Sequence, residues 1–167
     1  MTSIISKKCR KIKILLTDVD GVLTDGGMYY TAKGDFMKKF HTRDGMGVTL
    51  LRKHGIDTII VTKEKNPIIT QWYKKMQVKK LYDGILDKSK ILNEVCKKFN
   101  VTPEQVCYIG DDINDLGLLE KVGFSVVPND GITDAKKICD YVCISEGGRG
   151  VLREVADMIL QVQKVKS

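Results

Sequence analysis

The sequence lacks any apolar run long enough to form a helix that crosses a bilayer, so we expect no membrane association. The apolar patch within residues 1–11 is too short for a signal peptide, and its basic residues lie on the wrong side. Internal repeats, low-complexity tracts and Pro/Gly-rich linkers are also missing. We therefore expect a single domain over residues 1–167, with residues 1–11 as a short N-terminal extension, in the cytoplasm.

Neither a disulfide framework nor a zinc site is indicated. The five cysteines are an odd and scattered set, which is typical of free thiols in a reducing compartment. Cys139 and Cys143 are four residues apart, but no second pair of ligands accompanies them. The two histidines, His41 and His54, are isolated from each other and from the cysteines.

The formal net charge of +7 is spread over lysine pairs and forms no long basic block. No recognised nucleic-acid-binding motif accompanies this charge, so we expect no nucleic-acid partner. A modest positive field does attract small anionic substrates. The composition therefore favours a small anionic ligand.

Short apolar runs alternate with amphipathic segments along the chain, a pattern that predicts parallel βαβ units with right-handed crossovers. The expected fold class is α/β, with a doubly wound, Rossmann-like parallel sheet. We also expect a small β-hairpin around residues 28–40, with Gly34 supplying a positive φ, and a following helix capped by Asp44 or a near neighbour. The predicted strands cover residues 12–17, 57–62, 80–82, 106–109 and 124–127, and the main helices cover residues 67–76, 133–138 and 151–162.

Polar residues follow the predicted strands at four points, where open parallel sheets bind ligands. Any one of these loops alone is more often a simple turn. Four of them in order are harder to explain in that way, because clustered carboxylates are costly without a cation or a proton. The set comprises Asp18 and Asp20, Thr62, Lys88, and Asp111-Asp112 with Asn114 and Asp115.

These residue types match the needs of phosphate-ester hydrolysis. Asp18 can attack phosphorus as a nucleophile, and Mg²⁺ held by Asp18 and Asp111 can offset the repulsion between anions. Asp20 can protonate the leaving alkoxide and later deprotonate water. Thr62 can donate a hydrogen bond to a phosphoryl oxygen, and Lys88 can offset charge at the five-coordinate phosphorus.

Residues 18–26 resemble the first motif of the haloacid dehalogenase superfamily of phosphatases, and Thr62, Lys88 and residues 110–115 resemble its second, third and fourth motifs. Within that superfamily, three further segments are similar to the small phosphatases of 3-deoxy-ulosonate phosphates. These segments are residues 24–26, 40–45 and 147–154. The resemblance covers about residues 12 to 160.

The resemblance implies a Mg²⁺ site with Asp18 and Asp111 as side-chain ligands and Asp20 contributing its backbone carbonyl. It also implies a homotetramer and the absence of a large cap domain. The small β-hairpin near residues 27–40 and neighbouring subunits would cover the site in place of that cap. Asp112, Asn114 and Asp115 would support the metal-binding loop.

The substrate is predicted from the residues around the second motif. Arg43, in the segment that ends with Asp44 and Gly45, can pair with a substrate carboxylate, and Asp44 can either accept from sugar hydroxyls or cap its helix. Phosphatases of 3-deoxy-D-manno-octulosonate 8-phosphate (KDO 8-phosphate) have Thr-Gly-Arg at the second motif. This chain has Glu64 in place of the arginine and Lys75 on the next helix, which is more similar to phosphatases of sialic-acid-like nonulosonate 9-phosphates. We therefore place the nonulosonate first and the octulosonate second, although Glu64 and Lys75 could also be solvated surface charges.

Three alternatives remain open. Arg149, in the glycine-rich tail before the last helix, can contact the substrate of a neighbouring subunit or simply belong to a helix-entry loop. The same fold also occurs as a non-catalytic tetramerisation module beside sialic-acid cytidylyltransferases, although this chain retains the acidic residues and has no cytidylyltransferase domain. A phosphoryl-transferring mutase is less favoured, since such enzymes need a cap to exclude water.

Overall fold

The computed structural model describes residues 3–164, which form an α/β fold around a six-stranded parallel sheet. The strand order across this sheet is fifth, fourth, first, sixth, seventh and eighth in the chain, and every neighbouring pair is parallel. The second and third strands form a separate antiparallel hairpin. The elements are α1 (Ser3–Cys9), β1 (Ile14–Thr17), β2 (Tyr29–Thr31), β3 (Gly34–Met37), α2 (Thr42–Lys53), β4 (Asp57–Val61), α3 (Pro67–Met76), β5 (Lys80–Tyr82), α4 (Ile91–Phe99), β6 (Val106–Ile109), α5 (Leu116–Leu119), β7 (Phe124–Val127), α6 (Thr133–Ile138), β8 (Tyr141–Val142) and α7 (Val151–Lys164), with single 3₁₀ turns at Lys88–Lys90, Pro103–Gln105 and Ile113–Asp115.

The main sheet separates two apolar cores, because successive side chains of a strand point to opposite faces. In β1, Leu15 packs into the core that α1, α2, α3 and α7 cover. Ile14 and Leu16 face the other core, which α4, α5 and α6 cover. Helices on both faces of a parallel sheet confirm the doubly wound fold class.

The hairpin of β2 and β3 is the only insertion of strand structure between β1 and β4 in the described part of the chain. Gly34 begins β3 with a φ of +103°, as expected for the turn. The side chains of β2 are exposed, and those of β3 are at most half-buried. The strand structure inserted between β1 and β4 is therefore a small hairpin, as expected from the sequence.

Two elements have no counterpart in the sequence analysis. Helix α1 lies within the segment interpreted as an extension, yet Cys9 at its end is fully buried, and the Gln163 side chain of α7 donates hydrogen bonds to the carbonyls of Cys9 and Ile12. Strand β8 has only two residues, which is too short for a recognisable alternating pattern. Among residues 3–164, no helix combines the length and apolar character that a membrane span requires.

Candidate active site

The polar residues singled out in the sequence meet at the carboxyl end of the central strands. Strand β1 lies between β4 and β6, and the last residue of β1, Thr17, is in register with Ile60 and Ile109. The loops after these three strands therefore leave the sheet side by side. They line a cavity of about 170 Å³ formed by Asp18, Asp20, Thr62, Lys63, Glu64, Asp111, Asp112 and Asn114.

Asp18 lies directly after β1, and its side chain is almost fully buried. Its Oδ1 accepts a hydrogen bond of 2.7 Å from the backbone nitrogen of Val19, and its Oδ2 lies 2.6 Å from the Nζ of Lys88. Burial raises the pKa of Asp18, and the Lys88 ammonium opposes this rise. The carboxylate is therefore held in a fixed orientation at the floor of the cavity.

Lys88 and Asp115 form a fully buried ion pair beneath Asp18, with 2.7 Å between Nζ and Oδ1. Asp115 Oδ1 also accepts from the Tyr108 hydroxyl at 2.6 Å, and Oδ2 accepts from the backbone nitrogens of Asp111 and Asp112. Because these donors occupy both of its oxygens, Asp115 fixes Lys88 and the loop after β6. The sequence analysis expected Asp115 to support this loop.

Asp111 supplies an acceptor that the protein itself does not satisfy. Its Oδ1 is buried without a hydrogen-bond partner, although buried polar atoms are nearly always paired. Burial and the neighbouring charges of Asp18 and Asp115 raise the pKa of Asp111 to about 8. Gly21, with a φ of +82°, passes so close to the Asp111 carboxylate that a Cβ atom there would overlap with it.

The acidic cluster fits a divalent metal ion. Asp18, Asp111 and Asp115 can each offer one ligand atom such that these atoms all lie within 4.8 Å of one another. Since Asp115 is already saturated by hydrogen bonds, Asp18 and the unpartnered oxygen of Asp111 are the better ligands. Hard oxygen ligands of this kind suit Mg²⁺.

Asp20 also lines the cavity, and its carboxylate pairs with Lys38, the residue that follows the hairpin. Its Oδ1 is 2.7 Å from the Nζ of Lys38 and accepts a longer hydrogen bond of 3.3 Å from the Thr24 hydroxyl. Asp18 and Asp20 thus line the same cavity, while each is held by a different lysine. This separation suits two different chemical roles.

The loop after β4 supplies Thr62 and Glu64. The Thr62 hydroxyl is buried and accepts from the backbone nitrogen of Glu64 at 3.2 Å, so its own hydrogen remains free to donate. Glu64 is half-exposed at the mouth, 3.3 Å from Lys38 Nζ. Asp112 caps the 3₁₀ turn after β6 by accepting from the Ile113 nitrogen, and Asn114 completes the rim.

The other expected substrate contacts lie elsewhere in the chain. Gly45 and Lys75 line an apolar groove of about 470 Å³ with Phe40, Trp72 and Met76. Arg43 and Arg149 line another surface cavity beside Arg153 and Glu154.

Asp44 has neither of the two roles that the sequence suggested for it. It is fully buried and accepts a hydrogen bond from the backbone nitrogen of Arg153 in α7. The N-cap of its own helix is His41, whose Nδ1 accepts from the Arg43 nitrogen. Asp44 therefore binds the start of a different helix, and its burial keeps it from sugar hydroxyls.

Sequence reasoning missed two contributors to the site, Lys38 and Tyr108. Lys38 belongs to one of the lysine pairs of the sequence, and its position beside Lys39 gives no sign of its direction. Tyr108 is one of four buried residues in β6, where an apolar role was the natural interpretation. Neither residue has a local pattern that could have revealed its partner.

Comparison with known proteins gives one family. Residues 50–155 match the model of the haloacid dehalogenase-like hydrolases. The 3-deoxy-D-manno-octulosonate 8-phosphate phosphatase of Haemophilus influenzae is 38% identical over 157 residues, which cover 94% of this chain and 87% of the relative. The enzyme of the same name from Escherichia coli K12 is 36% identical over 156 residues, covering 93% and 83%.

Solved structures agree with this comparison. The crystal structure of the octulosonate 8-phosphate phosphatase from Yersinia pestis has a TM-score of 0.95 at 34% identity and covers 98% of this chain and 89% of its own. The corresponding phosphatase from Moraxella catarrhalis, solved with magnesium, phosphate and KDO, has a TM-score of 0.95 at 31% identity and covers 98% and 94%.

Proposed function

The chain belongs to the haloacid dehalogenase-like hydrolases, and from this premise we propose that it is a Mg²⁺-dependent phosphatase of a 3-deoxy-ulosonate phosphate. The observation that carries the proposal is that Asp18, Asp20 and Asp111 line one cavity. The buried Lys88 pairs with Asp18, and Asp111 has a buried oxygen without a partner. Such a cluster is costly to fold unless a cation binds there, and a bound cation in turn attracts an anionic phosphate.

The metal ion would be held by the side chains of Asp18 and Asp111 and by the backbone carbonyl of Asp20. When bound, Mg²⁺ supplies positive charge that lets an anionic phosphoryl group approach a carboxylate. The magnesium-containing relative from Moraxella catarrhalis supports this choice of ion. The side chain of Asp20 stays free for proton transfer.

The residues of the chain divide the chemistry between them. A carboxylate oxygen of Asp18 attacks phosphorus, and the bond to the sugar oxygen breaks as Asp20 donates a proton to it. In the second half, Asp20 takes a proton from water, which attacks the aspartyl-phosphate at phosphorus and regenerates the Asp18 carboxylate. Thr62 donates to a phosphoryl oxygen, and Lys88 stabilises the charge that develops beside Asp18.

Within the ulosonate class, we place a nonulosonate 9-phosphate first. Glu64 lines the acidic cavity where the octulosonate phosphatases have arginine, and its half-exposed carboxylate can accept from a longer hydroxyl or acylamino chain. Lys75, the second residue of this pattern, lies in the apolar groove, so it supports the assignment less directly.

The octulosonate 8-phosphate is the second candidate. The names of the relatives from Haemophilus influenzae and Escherichia coli favour it, as does the KDO bound to the relative from Moraxella catarrhalis. A homotetramer and a cytoplasmic location complete the proposal.

A phosphate-release assay tests the proposal. With Mg²⁺, the wild-type protein should hydrolyse both sugar-acid phosphates and a simple aryl phosphate, with the higher kcat/KM for the nonulosonate. A chelator or Asp18→Asn should lower the rate by at least about 10³-fold, because the nucleophile or its counter-charge is lost. Asp134→Asn, an exposed aspartate in α6, serves as the control.

The outcomes separate the alternatives. A clear preference for the octulosonate would reverse the order of substrates while leaving the phosphatase in place. A protein that releases no phosphate from any of the three substrates would instead behave as the non-catalytic tetramerisation module.

A further inference from the structure

We propose that Lys38, at the end of the hairpin, is a positioning residue that fixes the carboxylates of Asp20 and Glu64 and thereby couples the hairpin to catalysis and to substrate choice. The proposal rests on the function proposed above. It assigns a role to a lysine that directly follows β3 and lies outside the segments that resemble the family motifs.

The direction of the Lys38 side chain is unusual for its place in the fold. It extends from a hairpin whose other side chains are largely exposed, yet only 8% of its own surface is accessible. Its Nζ lies 2.7 Å from Asp20 Oδ1 and 3.3 Å from Glu64 Oε2. Because a lysine is rarely buried without partners, the two carboxylates account for its direction.

Lys38 connects three separate segments: the loop after β1, the hairpin and the loop after β4. A second contact joins the last two, since Asn66 Nδ2 donates a hydrogen bond of 2.6 Å to Asp35 Oδ2 in β3. Asn66 also caps α3 by accepting from the Ile68 nitrogen at 2.8 Å. The hairpin is therefore attached at two points to the segment that carries Thr62 and Glu64.

This arrangement has a consequence for both carboxylates. Lys38 contacts only one oxygen of each, so the other oxygen of Glu64 is left for a substrate hydroxyl, and Asp20 keeps one oxygen for the leaving group. Without the ammonium, the two anions would lose the cation between them and turn towards solvent. A loss of orientation of about 1 Å at a reacting group is enough to lower rates by about 10²-fold.

The matched variants are Lys38→Met, Lys38→Arg and Lys39→Met. Lys39 is the next residue and also pairs with an aspartate, Asp25 at 3.2 Å, but it is exposed and outside the cavity. Each protein is assayed with Mg²⁺ on the ulosonate phosphate and on an aryl phosphate. The aryl ester has no sugar hydroxyls, and its weakly basic leaving group needs little protonation.

We expect Lys38→Met to lower kcat/KM for the ulosonate phosphate at least about tenfold, and for the aryl phosphate by less than about threefold. Lys38→Arg should restore most of the loss, and Lys39→Met should match the wild type on both substrates. An equal loss on both substrates would show a general role in phosphate or metal binding and would overturn the proposal, as would no loss on either.

Hydrogen–deuterium exchange provides a readout that does not depend on activity. Lys38→Met, but not Lys39→Met, should increase exchange in residues 62–66 and in the hairpin. If the wild-type protein hydrolyses neither substrate, the proposed function fails, and this measurement alone decides the role of Lys38. Unchanged exchange in residues 62–66 of Lys38→Met would then refute the positioning role.

Discussion

The carboxylate of Asp44, in the first turn of α2, accepts a hydrogen bond of 3.0 Å from the backbone nitrogen of Arg153, in the first turn of α7. The first backbone N–H groups of a helix have no partner within the helix, and a carboxylate placed there satisfies them and interacts well with the helix dipole. Asp44 thus joins two of the helices that cover one face of the sheet, although its Oδ2 remains buried and unpartnered.

The position of Asp44 predicts a measurable pH dependence of stability. Burial raises the pKa of Asp44 to about 6, and the backbone hydrogen bond from Arg153 opposes this rise. The folded protein therefore binds this proton more tightly than the unfolded chain, whose aspartates titrate near about 3.9. Asp44 therefore contributes fully to stability below the unfolded-state pKa of about 3.9. This contribution is lost as the pH rises through about 6, which lowers the free energy of unfolding by up to about 3 kcal/mol.

Asp44→Asn should remove this loss, because the amide keeps an acceptor for Arg153 but carries no charge. Urea unfolding of wild type and variant at pH 4, 6 and 8 measures the difference, and the other buried carboxyls cancel because both proteins contain them. Asp44→Ala is the control: without the acceptor for Arg153, it should be less stable than Asp44→Asn at every pH by about 1 kcal/mol. A constant difference between wild type and Asp44→Asn across this range would contradict the assignment.

A second prediction concerns Gly21, which approaches the Asp111 carboxylate with a φ of +82°. In Gly21→Ala, the new methyl group would displace Asp111, so we expect phosphate release to fall at least about 10²-fold together with a loss of stability.

Gly55→Ala is a closely matched control, because Gly55 has a φ of +76° but no atom within 4 Å of an added Cβ. It should lose stability through backbone strain of about 1 kcal/mol and keep its activity. Equal activities of the two variants would show that Asp111 tolerates displacement.

The elements that position the site are those with strong local patterns. The four residues of β6 are all buried, and this short apolar run between polar segments was recognisable, as were the proline and asparagine at the start of α3. The meeting of Asp18, Thr62 and Asp111 follows from the parallel order of three strands, so it was predictable once the fold class was known. Neither the Asp44–Arg153 contact nor the direction of Lys38 could be predicted, since each depends on how segments distant in sequence pack together.

The buried lysine of the site gives a third prediction. Lys88 is the cation between Asp18 and Asp115, and its side chain has no exposed surface. Lys88→Met would leave two buried carboxylates without their cation, so the free energy of unfolding should fall by about 3–5 kcal/mol. Lys90→Met, two residues later, removes a lysine that is 82% exposed in its pair with Asp87 and should cost less than about 0.5 kcal/mol. Similar unfolding midpoints in urea for the two variants would show that Lys88 is dispensable for the fold.

The exposed face of the hairpin leads to the last prediction, which tests the expected homotetramer. A two-stranded sheet is at best marginally stable without further packing, yet this one exposes Met28, Tyr30 and Phe36, the last with 70% of its surface accessible. Apolar side chains grouped in this way are typical of a surface that another copy of the chain covers. We therefore expect the wild-type protein to sediment as a tetramer and Phe36→Glu to sediment as smaller species. Ile144→Glu, at a position 84% exposed in the loop after β8, should leave the mass unchanged. A glutamate buried at a contact between copies would oppose assembly. A monomeric wild-type protein, or a tetramer that tolerates Phe36→Glu, would therefore mean that the hairpin is not the contact between copies.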